Sequence, residues 1–264
     1  LLYHLLIEPL QSQLAGPQEL IVVPDRDLFA LPFAALWDND RKQYLTEELT
    51  IRLATSATAQ PESPSVLQPA LVVADPHTPL GARLPASQEE AAHIAALYSG
   101  TTTLTGEAAT RTAFIAAARK SALIHYAGHA DSDASVSFGT LLFAADGGQT
   151  GVLGSNEIAN LHLEGNPLVV LAGCGTFRGD TTHVAGMPSL ARAFLTAGAR
   201  SIVATLWEID DDVSAHFFLK LHENLLAGAS PAVALRRAQV YFLHSADPQL
   251  AHPATWSATE TLSN

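Results

Sequence analysis

Two residues of this chain stand where an α/β protein puts its chemistry. The stretch Asn166 to Asp180 carries Cys174, the only cysteine among 264 residues, just beyond the apolar run Leu168 to Ala172. Pro167 and Gly173 bound that run, so it reads as a short buried strand of a parallel sheet. A residue just past the carboxyl end of such a strand lies where open α/β sheets bind ligands. Gly173 and Gly175 flank the sulfur, so the backbone can turn sharply and a substrate can approach closely. A second run, Ala122 to Ala127, leads into Gly128-His129. If the two strands are neighbours, an imidazole and a thiol meet over one edge. The thiolate is the nucleophile, and a nearby imidazole supplies or stabilises it. The competing reading makes Cys174 a small packed residue, as free cysteines usually are. Its place beyond the apolar run, between glycines, favours the nucleophile.

Ten other histidines compete with His129. His125 alternates with Leu and Tyr inside its strand and reads as a core histidine. His162, His183, His216 and His222 fall in loops or on helix faces, where a solvated side chain is expected. Zinc held by His125, His129 and Cys174 has suitable ligand types, but the two histidines are four apart on an extended segment, not on one helix face. No metal or other cofactor is expected. A tyrosine-phosphatase loop is also excluded, because Arg178 follows the cysteine too closely, with Phe177 beside it. Asp210, Asp211 and Asp212 follow Trp207 at another strand end. Spacing favours helix capping for them. The alternative is that one lines a pocket beside the thiol and attracts a cationic side chain.

The elements that must position these groups alternate. Leu1 to Leu14 shows a helical stripe, Leu20 to Val23 a strand, Leu28 to Leu36 a connector broken by Pro32, and Leu49 to Leu53 a strand. Gln60 to Gln68, with Pro61 and Pro64, is the best boundary. Beyond it, strands are expected at 70–74, 101–104, 122–127, 140–144, 168–172 and 201–207. Helices are expected at 87–98, 107–119, 155–161, 189–197 and 211–227, with a last one capped by Ser230. Ser87 and Glu90 read as a capping box, and Asp146-Gly147 as a hairpin turn. This alternation implies a parallel sheet with helices on both faces.

Composition sets the outer bounds. Hydrophobic residues make up 48% and charged residues 15%, which suits a globular protein with a sizeable core. A net charge of −12 without a basic run disfavours nucleic acid and anionic membrane as partners. No run reaches the length of a membrane span, and one cysteine suits a reducing, cytoplasmic setting. The chain opens on Leu1 within a helical pattern and is expected to be a fragment of something longer.

Three segments in order carry a resemblance: Leu-Ile-His-Tyr-Ala-Gly-His-Ala (123 to 130), Leu-Val-Val-Leu-Ala-Gly-Cys-Gly-Thr (168 to 176) and the run from Leu190 through Leu-Trp-Glu-Ile-Asp-Asp-Asp to position 212. Together they resemble the CHAT domain, a caspase-like cysteine peptidase family related to separase and the gingipains. Residues 21 to 36 also resemble the family's amino-terminal part. The resemblance implies a caspase-like α/β/α sandwich with a mainly parallel central sheet, residues 1–65 forming an amino-terminal subdomain and 66–264 the peptidase core. It implies His129 and Cys174 as the catalytic dyad and the amides of Ala130 and Cys174 as the oxyanion hole. It also implies Asp211, with neighbours Asp210, Asp212 and Trp207, as the site for a basic P1 side chain. Many relatives have Gly where this chain has Ala130, and Glu where it has Gly175. The implied partners are a protein substrate and an amino-terminal repeat or sensor region, often tetratricopeptide repeats, missing from this fragment. The implied setting is bacterial defence or regulated cell death, for example gasdermin activation. A catalytically silent scaffold or effector-binding module on the same fold is the alternative.

Overall fold

The structure is a computed structural model that describes all residues except 15, 17, 60, 61, 65, 132–138, 174, 175 and 177–188. Its frame is an eight-stranded sheet, and the chain order of strands explains what lies at each edge. The strands are β1 (Glu19–Val22), β2 (Trp37–Asp38), β3 (Gln43–Tyr44), β4 (Thr50–Ala54), β5 (Ala70–Pro76), β6 (Thr102–Gly106), β7 (Leu123–Ala127), β8 (Ala130–Asp131), β9 (Thr140–Leu142), β10 (Val152–Gly154), β11 (Leu168–Leu171), β12 (Ser201–Thr205) and β13 (Thr259–Ser263). The large sheet runs β1-β4-β13-β12-β11-β7-β5-β6; β10-β9-β8 and β2-β3 form small antiparallel sheets.

Five neighbouring strands, from β12 across to β6, are parallel, and the antiparallel partner β13 joins them to β4 and β1. The sheet is therefore mostly parallel, as expected. Residues 1–65 contribute β1 and β4 to this same sheet. The parallel strands are continuously apolar because both faces are covered: every residue of β5, β7, β11 and β12 is buried.

The helices are α1 (Leu2–Leu6), α2 (Gln11–Leu14), α3 (Leu45–Glu48), α4 (Pro85–Leu97), α5 (Arg111–Ala118), α6 (Ser155–Ala159), α7 (Ser189–Thr196), α8 (Asp211–Leu226), α9 (Pro231–Leu243), α10 (Pro248–Ala251) and α11 (Pro253–Trp256). α4, α8 and α9 pack side by side on one face, while α6 packs on α7 on the other. α5 lies on the α7 side, because right-handed crossovers that move in opposite directions along a sheet use opposite faces. α8 buries the expected stripe Val213, Phe217, Leu221 and Leu225.

Three local expectations are corrected. Ser87 and Glu90 form no capping box: α4 starts earlier, at Pro85, and Glu90 is buried inward. α5 starts at Arg111, where the Thr110 side chain accepts the Ala113 N–H at 3.2 Å. β13 was not expected at all. Its sequence Thr-Glu-Thr-Leu-Ser is polar, yet all five residues are buried.

Candidate active site

The site begins with a register. β7 and β11 pair in parallel with His125 opposite Val170 and Tyr126 opposite Leu171, and the Ala172 N–H continues the pairing to Tyr126 O at 2.8 Å. Two neighbouring strands running the same way release their following turns side by side. A Cβ on Gly173 would lie 2.5 Å from Gly128 O and 3.5 Å from Ala130 Cβ, so only glycine lets the two turns approach this closely. Cys174, the next residue, lies outside the described residues, as do Gly175, Phe177 and Arg178. Thr176 ties this segment to β12. Its hydroxyl donates to Leu171 O at 3.2 Å and its N–H to Thr205 Oγ1 at 3.4 Å, while the Thr205 hydroxyl donates to Gly173 O.

The histidine turn is held from beneath. Tyr126 is fully buried, and its hydroxyl sits 2.8 Å from His129 O and 2.6 Å from Leu142 O while accepting the Leu142 N–H at 3.2 Å. Burial pushes the phenol far above its ordinary range, so it remains a donor. Gly128 is enclosed by the Tyr126 ring and by Pro76, which a Cβ would meet at 2.8 and 3.0 Å. Ala130 belongs to extended β8 and is not among the positive-φ residues. Its methyl group therefore causes no left-handed strain. The Leu142 N–H donates to His129 O at 3.0 Å, and Ala130 pairs with Leu141. That register turns the Ala130 N–H away from β9.

The His129 ring is half-buried, and its cover comes from the loop between β5 and α4. The Ala82 carbonyl accepts from Nε2 at 2.6 Å, so Nε2 carries a proton in this arrangement. A Cβ on Gly81 would lie 2.3 Å from the ring. The same loop closes on buried Asp75, whose carboxylate accepts from Arg83, Gln88 and the Leu84 N–H at 2.7–2.9 Å. Although burial opposes ionisation, these donors hold the Asp75 carboxyl below its usual range. Asp75 adopts φ 42°, which is uncommon for a residue with a Cβ.

The three aspartates have structural duties. Asp210 caps α8, accepting from the Asp212 and Val213 N–H groups at 3.2 and 3.4 Å. Half-buried Asp211 accepts the Ala86 N–H in the first turn of α4 at 3.0 Å, and burial raises its carboxyl pKa. Asp212 is exposed, and its main-chain oxygen faces His216 Nδ1 at 2.8 Å. The Trp207 indole donates to Ala254 O at 2.8 Å. Ala82 on His129 and Ala86 on Asp211 are four residues apart, so about 14 Å of chain at most separates the two contacts.

Beneath β7 lies a polar chain that the sequence only half disclosed. His125 is the expected core histidine, but His222, expected to be solvated, is also fully buried. Its nitrogens meet Tyr98 Oη at 2.8 Å and His125 Nδ1 at 3.1 Å. His125 Nε2 lies 3.0 Å from Glu90 Oε1, but the two are not aligned as a hydrogen bond. Burial drives the Glu90 pKa well up, that of His125 down to about 3 and that of His222 well down, so a neutral acid faces neutral imidazoles. The signal for His222 was available: it follows Phe218 by four and precedes Leu225 by three, on a second inward stripe. Among the described residues no His, Cys, Asp and Glu cluster has metal-site geometry.

A mostly parallel sheet between helix layers, with a histidine turn at its carboxyl edge, defines a caspase-like α/β/α fold. Solved structures agree on the fold. The separase of the Saccharomyces cerevisiae separase–securin complex superposes with a TM-score of 0.63 at 14% identity, over 92% of this chain and 15% of that one. The Arg-specific cysteine proteinase gingipain R gives 0.59 at 15% identity, over 92% and 58%. The CHAT domain matches residues 1–263, and the chain belongs to that family. Tetratricopeptide repeat protein 28 of Homo sapiens is 26% identical over 97% of this chain, and that of Mus musculus 25% over 97%. The chain spans only 12% and 13% of those relatives.

Proposed function

We propose that the protein is a cysteine endopeptidase that cuts a protein partner through a His129/Cys174 dyad. The observation that carries this reading is the β7–β11 register, which sets the turn bearing His129 against Gly173, the residue before the cysteine. The Cys174 thiolate attacks the P1 carbonyl carbon and forms a tetrahedral oxyanion. Its charge is received by main-chain N–H groups, for which Ala130 and Cys174 are the candidates. His129 protonates the leaving amine as the C–N bond breaks. Water, deprotonated by His129, then releases the acyl group and regenerates the thiol. Loss of one oxyanion donor lowers such a rate by roughly 10²–10³.

The P1 residue is basic in this reading, with Asp211 as its acceptor and Asp210, Asp212 and Trp207 around it. Its half-buried carboxylate and short chain distance from the His129 cover support this. The protein is placed in the cytoplasm, beside an amino-terminal repeat or sensor region. No described helix is long and apolar enough to cross a membrane. The biological setting is bacterial defence or regulated cell death, with a gasdermin as one candidate substrate. A panel of fluorogenic Arg, Lys and neutral peptides, run with the native protein and Cys174→Ala, tests the reading. Cleavage after basic residues that vanishes in the variant is expected, and equal rates for the two proteins would refute it. A silent scaffold is the second reading, favoured by the occupation of His129 Nε2 by the chain's own carbonyl. It requires no turnover on any peptide.

A further inference from the structure

We propose that residues 77–84 are an intramolecular strap that holds the His129 imidazole in a resting arrangement and lifts before a substrate reaches it. The proposal rests on the peptidase reading and deepens it by naming how the site is regulated. Two contacts fall on the imidazole itself. Gly81 lies so close that an added Cβ would meet ring atoms at 2.3–2.8 Å, and Ala82 O accepts the Nε2 proton at 2.6 Å. A strap residue other than glycine at 81 would not allow this closure, since the neighbouring atoms belong to a ring held by its own turn.

The strap's attachments are unequal. At its start, His77 packs on Gly106 and donates its N–H to Gly106 O at 3.0 Å. At its end, Asp75 gathers the Leu84 N–H and the Arg83 guanidinium. The carboxylate is buried, whereas the Arg83 side chain is 58% exposed. Pro79, Leu80 and Ala82 are exposed, with Leu80 at 65%. Such a segment, fixed at both ends and solvated in the middle, belongs to the low-stability end of a fold and opens locally. Asp75 keeps its φ of 42° where its partners over-determine it. Arg83 is thus the exposed latch, and a basic group carried by a partner or substrate is chemically suited to compete for the same carboxylate.

The test reads the imidazole directly. Diethyl pyrocarbonate modification of His129 is followed by peptide mass spectrometry, with exposed His162 as the internal reference. In the native protein His129 reacts more slowly than His162. Arg83→Ala removes a charge-assisted latch and accelerates His129 modification roughly tenfold, with His162 unchanged. Gly81→Ala, which leaves Asp75 and its partners intact, shifts the rate in the same direction and covers the case in which Arg83→Ala folds poorly. A native His129 as reactive as His162, or a change below about twofold in both variants, overturns the strap. Peptide turnover measured in parallel separates the two readings. A freed His129 without turnover in any form upholds the strap and removes the peptidase. Native turnover that Arg83→Ala leaves unchanged removes the strap and keeps the peptidase.

Discussion

Tyr126→Phe is the sharpest probe of how the fold aims its histidine. The ring is fully buried and Phe fills the same space, so the substitution deletes one hydroxyl and creates little cavity. That hydroxyl spans the carbonyls of His129 and Leu142 and accepts the Leu142 N–H. The Leu142 N–H retains His129 O at 3.0 Å, so the loss concentrates on Leu142 O. One hydrogen bond lost and one buried carbonyl left without that donor amount to about 2 kcal/mol. For a chain of this size that lowers the Tm by about 4–8 °C. His129 O keeps the Leu142 N–H but loses the phenol, so on the peptidase reading peptide turnover falls more than substrate affinity does. Calorimetry and peptidase assays on the same preparation check both. A variant within about 1 °C of the native Tm and with unchanged kcat would show that the phenol does not position the turn.

Four further outcomes follow from the geometry. Thr205→Val leaves Gly173 O and the Thr176 N–H without their shared hydroxyl and destabilises by about 2 kcal/mol, checked by urea unfolding; on the peptidase reading it also reduces turnover in the peptide assay. Burial pushes the Glu260 pKa up to about 8 from 4.5, so its contribution is complete below pH 4.5 and is lost as pH rises through 8. That loss is at most about 5 kcal/mol, and Glu260→Gln flattens the pH dependence of the urea midpoint. His125 and His222 stay neutral well below the ordinary histidine range. The ring signals of His125 and His222 therefore stay fixed in NMR titration between about pH 8 and about pH 5. Asp211→Asn raises KM for basic P1 peptides more than for neutral ones if Asp211 receives P1, whereas equal effects indicate that it serves only to cap α4.

The sheet was legible where burial on both faces writes itself as an unbroken apolar run. Ala70 to Ala74, Ala122 to Ala127, Leu168 to Ala172 and Ser201 to Trp207 all fall on observed strands because parallel strands have no polar face to interrupt them. β13 fails the same criterion for a physical reason. Two of its buried polar side chains find partners far away in sequence: Glu260 Oε1 accepts the Phe33 N–H at 3.2 Å, and Ser263 Oγ accepts from Arg52 at 2.6 Å. A strand satisfied by residues some 200 positions away leaves no local periodicity. The Ser87/Glu90 pair shows the converse error. Its spacing fits a capping box, but Pro85 starts the helix first and the Glu90 side chain turns into the polar chain beneath β7.

The site divides along the same line. His129 was a local fact, because a histidine beside glycine follows a readable strand, and it is found just past the end of β7; the Cys174 expectation rests on the same local signal but lies outside the described residues. The residues that restrain His129 were not local facts. Tyr126 looks like one more large residue in an apolar strand, and only the tertiary return of β9 reveals that its hydroxyl carries the His129 carbonyl. Asp75 lies just past the expected strand at 70–74 and carries no sign of its role, because its partner Arg83 arrives across a loop whose path no pattern encodes. A sequence thus exposes the groups that could react sooner than the groups that aim or withhold them. The first need only a type and a strand end, while the second need a neighbour. In this chain the neighbours converge on one imidazole from two sides, Tyr126 from beneath and Gly81-Ala82 from above. Aim and access can therefore be changed separately: loss of the phenol should loosen the turn under a closed cover, and loss of Arg83 should open the cover over an intact turn.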